Sequence, residues 1–97
     1  MDPELPDLTI ADVVVSTAGR DMGQLFYVLE ADDTWLYLAN GKDRTIEKPK
    51  RKKRKHTKKV LRSETRVAAK LRAGDKVLNS ELRRDLAYLS RELQSTT

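Results

Sequence analysis

The spacing of apolar residues changes period along the chain. Val13, Val14 and Val15 form a β-branched run that stops at Ser16-Thr17-Ala18-Gly19, the pattern of a short strand entering a turn. Residues 25–30 (Leu-Phe-Tyr-Val-Leu-Glu) are again rich in β-formers, bounded by Gly23 and by Ala31-Asp32-Asp33-Thr34, and predict a second strand. In residues 35–39, Trp35, Tyr37 and Ala39 alternate with Leu36 and Leu38, which assigns two faces to a third strand. Asn40-Gly41 follows. That pair favours a type I′ turn, in which both central residues need positive φ, so residues 42–47 are expected to return as a fourth strand. Residues 57–61 are the candidate fifth strand. Beyond them the period becomes helical: Leu78, Leu82, Leu86, Leu89 and Leu93 fall three or four apart and form one stripe. A helix over 80–93 is predicted, with Asn79 as N-cap, Glu81 near the positive end of the helix dipole and Arg91 near the negative end. A shorter helix is predicted from a cap at Ser63 through Ala73, with Val67 and Leu71 one turn apart and Gly74 as a left-handed stop.

Several short strands joined by tight turns make a poor open sheet, because a small curled barrel leaves fewer exposed edges. The expected fold is therefore mainly β with a C-terminal α segment: a small SH3-like β-barrel over 9–62, then one or two helices over 63–97. With 97 residues the chain has length for one domain. Residues 1–8, with Pro3 and Pro6 among three acids, are expected to be a disordered acidic tail outside the fold.

Composition adds placement of charge. The net charge is +5, but residues 1–40 hold one cation, Arg20, against eight acids, whereas residues 41–60 hold eleven lysines and arginines against Asp43 and Glu47. Clustered cations are what a phosphate backbone rewards, through counterion release. The run 48–59 is expected to stay extended by self-repulsion, as a basic arm, until a polyanion neutralises it. With no apolar residue between Lys48 and Lys59 to enter lipid, membrane binding is disfavoured. RNA is preferred to duplex DNA because no recognition helix is evident.

Little else in the sequence offers chemistry. There is no cysteine and one histidine, His56, set among cations, so no metal site, catalytic residue or cofactor is expected, and His56 is read as an RNA contact. No small-molecule substrate is expected. Asp32-Asp33 reads as a solvated turn. If Leu36 and Leu38 fill the barrel, Trp35 and Tyr37 point outward and can stack bases; the competing expectation, the weightier one on general burial, packs Trp35 under the C-terminal helix. The longest apolar run, residues 25–29, is far short of the ~20 residues that cross a bilayer, and the start lacks the basic region of a signal peptide, so a cytoplasmic protein is expected.

Residues 15–24 (Val-Ser-Thr-Ala-Gly-Arg-Asp-Met-Gly-Gln) resemble the KOW motif, a strand followed by a Gly-flanked turn on an SH3-like barrel. Ala39-Asn40-Gly41-Lys42-Asp43-Arg44, followed by the run Glu47 to His56, is similar to the small bacterial KOW-domain RNA-binding proteins, themselves similar to a large-subunit ribosomal protein of archaea and eukaryotes. Met22 stands where a lysine is common and Asn40 where an aspartate is common. The resemblance spans residues 12–57 and implies RNA binding, to ribosomal RNA or the large ribosomal subunit. It implies that Gly19 and Gly23 shape the turn, that Arg20 contacts phosphate or braces the loop, and that residues 48–56 lie along RNA.

The expected RNA contacts are thus Arg20, Lys42, Arg44, Lys48, Lys50, Arg51, Lys52, Lys53, Arg54, Lys55, His56, Lys58 and Lys59. The alternative is a protein-interaction module in which the barrel or the leucine-striped helix docks on a transcription or ribosome-assembly factor.

Overall fold

A computed structural model describes residues 8–95. Five strands, β1 (Asp12–Ser16), β2 (Leu25–Ala31), β3 (Trp35–Ala39), β4 (Lys50–Lys53) and β5 (Thr57–Arg62), are followed by helices α1 (Arg66–Ala73) and α2 (Asn79–Ser95). The strands form one antiparallel sheet in the order β4-β3-β2-β1-β5. The mainly β character, the first three strands, the fifth strand and both helices follow the sequence reading.

The sheet is not closed into a barrel: β4 and β5 are its two edges. It must nevertheless curl. Four gaps of about 4.8 Å would hold the edges of a flat sheet about 19 Å apart. The 3₁₀ turn Arg54–His56 that joins β4 to β5 offers only four Cα steps, about 15 Å if fully stretched. Bulges at the β1–β5 and β2–β3 ladders, where the register slips between Val13 and Val14 and between Val28 and Glu30, supply the local twist.

Alternation splits the apolar side chains between two cores. Val14, Phe26, Val28, Leu36 and Leu38 fill one face, together with Leu8. Val13, Tyr27 and Ala39 line the other, where Ala68 of α1 and Leu82, Leu86 and Leu89 of α2 cover them. Leu8 is only 8% exposed and belongs to the core, contrary to its expected place in a tail; the remaining tail positions, 1–7, lie outside the described residues.

Four further expectations are corrected. Residues 42–47 are a loop, not a strand, and the fourth strand is β4. The donors a ladder needs are taken by side chains: Asn40 Oδ1 accepts the backbone N–H groups of Lys42 and Arg44, both at 3.0 Å, and Asn79 Oδ1, from α2, accepts that of Ile46 at 2.9 Å. Gly41 has positive φ but Asn40 does not, which excludes a type I′ turn. The basic run is not a free arm, because residues 50–62 fold into β4, the 3₁₀ turn and β5, held by pairing to β3 and β1. The cap of α1 is Thr65, whose side chain accepts from Ala68 N, while Ser63 is buried against Tyr27; Gly74 closes the helix in the left-handed conformation as expected. At α2, Glu81 Oε1 accepts the Leu78 N–H at 3.0 Å, the reciprocal half of a capping box, so Leu78 occupies the cap and is 51% exposed. The buried stripe is therefore Leu82, Leu86 and Leu89.

One polar lock ties helix to sheet. The Tyr27 hydroxyl donates to Asp85 of α2 and meets Ser63 Oγ at 2.8 Å, and Thr65 Oγ1 donates to the same Asp85 carboxylate at 2.8 Å. Burial, then Asp85, pushes the Tyr27 phenol up to about 12.

Candidate nucleic-acid interface

The turn between β1 and β2 is built around a carboxylate. Gly19 and Gly23 both adopt positive φ (86° and 90°), which a side chain would strain. The turn closes through Gly23 N to Ser16 O at 2.8 Å and Met22 N to Gly19 O at 3.2 Å. This aims Asp21 inward, where Ser16 Oγ donates to it at 2.7 Å and Lys52 Nζ at 3.0 Å, while Lys50 Nζ lies 2.6 Å from its second oxygen. Burial by itself raises the Asp21 carboxyl, but the hydrogen bonds from Lys50, Ser16 and Lys52 outweigh it and hold the group well below the usual carboxylate range.

Lys52 is 8% exposed and also donates to Ala18 O at 2.8 Å. Both lysines face inward because they pair across β3 with Leu36 and Leu38. They are the struts that fasten edge strand β4 to the turn, and their charge is spent on Asp21. The sequence carries a trace of this arrangement, since Asp21 lies between the two turn glycines, but nothing local connects it to residues thirty positions away.

The intervening β4 residues face outward. Arg51 pairs across Tyr37 and Lys53 across Trp35. The Arg51 guanidinium lies 4.1 Å from the Trp35 ring centre and Lys53 Nζ 5.6 Å from it, both within cation–π range. Trp35 belongs to neither buried core and does not pack under α2, so the expectation that buried it there is overturned. The physical reason is register: Leu36 and Leu38 take the inner face, and the helices cover the other face at Val13, Tyr27 and Ala39, leaving the Trp35 end of β3 without helix cover, with Trp35 half-buried beside Arg51 and Lys53.

The remaining expected contacts are spread more widely. Arg20, Lys42, Arg44, Lys48 and Lys55 stand exposed in the loops and turns, and Lys58 is exposed on the other edge strand, β5, where it pairs across Val15. Arg54 Nη1 donates to Asp32 O at 2.7 Å and ties the 3₁₀ turn to the β2–β3 loop. His56 is half-buried and its backbone carbonyl accepts from Thr17 N at 2.9 Å. Lys59 Nζ stands 3.3 Å from Asp12, a fully buried carboxylate. Asp32 accepts the N–H groups of Thr34 and Trp35, and these hold its carboxyl below the ordinary value; the Asp32-Asp33 pair is the turn expected of it. Among the described residues no group of three or more acids or histidines could hold a metal, and no helix is long and apolar enough to cross a membrane.

Arg20 and Arg44, twenty-four positions apart, line one open hollow of about 260 Å³ together with Lys50. The loop that carries Arg44 is fixed by α2, whose part in the site the sequence reading missed. Arg83 Nη1 donates to Gly41 O at 2.8 Å, and Asn79 Nδ2 donates to Glu47 at 2.7 Å. Among the sequence signals, only the helical phase of Arg83 relative to the leucine stripe bears on this. No protein-family model matches the chain, and no curated protein sequence matches it.

Proposed function

We propose that this protein is a non-enzymatic RNA-binding protein of the KOW type, acting on ribosomal RNA or the large ribosomal subunit in the cytoplasm. The observation that carries the reading is the chain's one tryptophan, left outside both cores on a sheet surface without helix cover and stacked by cations from an edge strand of four consecutive basic residues. An aromatic ring beside guanidinium and ammonium groups is a surface on which an unpaired base stacks while its phosphates are neutralised. The curl of the sheet, with a 3₁₀ turn between its last two strands, supports an SH3-like barrel, and the glycine-flanked turn supports the KOW resemblance. In this reading Arg51, Lys53, Lys55 and Lys58 neutralise phosphate, Arg20, Lys42, Arg44 and Lys48 extend the binding surface along the loops, and Trp35 and Tyr37 receive bases. Lys50 and Lys52 hold the scaffold. The protein-interaction alternative has less support, because α2 spends Leu82, Leu86 and Leu89 on its own sheet.

The test is the salt dependence of binding to a structured ribosomal RNA fragment, measured on protein freed of nucleic acid. Substituting Arg51, Lys53, Lys55 and Lys58 together by Ala lowers the log–log slope by about 0.7 for each single-strand phosphate that is no longer neutralised. Trp35 fluorescence in the native chain is quenched as RNA is added. A slope left unchanged, or no binding at physiological ionic strength, overturns the proposal.

A further inference from the structure

The hollow holding Arg20, Arg44 and Lys50 is one end of a longer feature. A second, shallower hollow of about 340 Å³ lies beside it, bounded by Lys42 of the β3–β4 loop and by Arg83, Ala87 and Ser90 of α2. Gln24 and Asp43 line both hollows, so the two are continuous around the tip of that loop. Each is near the ~300 Å³ lower bound of small-molecule pockets, and both are open to solvent, which suits a chain passing through rather than an enclosed ligand.

Three facts define the chemistry. Cations stand at both ends, Arg20 and Arg44 at one and Lys42 and Arg83 at the other, with the exposed carboxylate of Asp43 at the junction; Lys50 also lines the first hollow, but Asp21 beside it neutralises its charge. The helical wall is low where Ala87 and Ser90 face the groove, so a sugar–phosphate chain can lie close to it. The walls are also rigid relative to each other: a Cβ at Gly41 would fall 2.2 Å from the Asn79 carbonyl oxygen, so the loop rests directly on the first turn of α2, and Arg83 clamps it there.

We infer that α2, the β3–β4 loop and the β1–β2 turn together form a groove for a short unpaired RNA strand, whose phosphates sit on either side of Asp43 while its riboses run past Ala87 and Ser90. The inference rests on the RNA-binding reading and deepens it, by adding α2 as a binding wall and single-stranded RNA as the form bound there.

The experiment uses the full chain with an oligouridylate and its deoxy counterpart as probes. Ala87→Leu combined with Ser90→Leu fills the groove without changing charge, at one exposed and one half-buried position of α2 where leucine favours the helix. Expected are an affinity loss of about tenfold for oligouridylate and a salt slope lower by about 0.7 for each phosphate displaced, with circular dichroism and melting temperature unchanged. Ala87→Glu, a good helix former at the same exposed position, is a second variant and weakens binding further by repulsion. Affinities of both folded variants within twofold of the native chain overturn the groove and leave the RNA-binding reading standing. Failure of the native chain to bind either the oligouridylate or the structured fragment overturns both.

Discussion

Replacing Asp21 by Asn leaves the shape of the turn nearly intact and removes the charge that two lysines serve. Lys50 and Lys52 then lose their ion pairs at 2.6 and 3.0 Å, and Lys52, 8% exposed, is left with uncharged acceptors only, the Ala18 carbonyl among them. Breaking one side of a largely buried ion pair costs about 3 kcal/mol, because the partner charge stays buried without compensation. For a chain of this size each kcal/mol moves the melting temperature by about 4–8 °C, so the expected drop is about 12–24 °C by thermal circular dichroism at neutral pH. Adding Lys52→Met removes the stranded ammonium, and the double variant recovers roughly half of the loss, a coupling readable in a double-mutant cycle. The acid limb provides an independent check. The Asp21 carboxyl is depressed in the folded state below its ordinary 3.8, so its contribution is complete above that value and is withdrawn as pH falls through the folded value. The native protein therefore loses more stability than Asp21→Asn between about pH 5 and pH 2. A melting shift under about 4 °C, roughly 1 kcal/mol or less, refutes the view that this clasp anchors β4.

Three further outcomes are expected. Tyr27→Phe strips the hydroxyl from the lock with Asp85 and Ser63 and destabilises by about 1–3 kcal/mol in urea melts. Because the Tyr27 phenol is raised to about 12 from 10, its contribution is whole below pH 10 and is withdrawn as pH climbs toward 12, and the ultraviolet phenolate titration of Tyr27→Phe lacks the component near 12. Gly41→Ala puts a methyl 2.2 Å from the Asn79 carbonyl in a backbone conformation that already disfavours it, and costs about 2 kcal/mol or more while exposing α2 amides to hydrogen exchange. Asp43→Asn removes the carboxylate between the two groups of groove cations and tightens RNA binding at low salt, an advantage that fades as salt screens it.

The elements legible in the sequence are those decided by neighbours along the chain. β1, β2 and β3 follow from β-branched and aromatic runs stopped by turn residues, α2 from a stripe every three or four residues, and the end of α1 from Gly74. The misread elements were decided by partners far away. The stretch 42–47 has the composition for a return strand, yet its Ile46 N–H is claimed by Asn79, thirty-three positions on. The basic run reads as an arm because its charges repel one another, and it becomes an edge strand because alternate lysines meet a buried carboxylate. In the candidate site, the outward placement of Trp35 and Tyr37 was readable as one of two faces of β3, but which face the helices would cover was not.

What the amino-acid order decides by itself is the inventory: an acidic first third, a basic centre, one tryptophan on an alternating strand and glycines where the backbone must turn left-handed. What only the tertiary structure decides is which of those charges remain available. Neighbouring cations of one strand are divided by the two-residue alternation of β structure, Lys50 and Lys52 turned in to neutralise Asp21, Arg51 and Lys53 turned out over Trp35. That division depends on the register of β4 against β3, and register is fixed by the burial of Leu36 and Leu38, since slipping the pairing by one residue would drive the outward charges into the core.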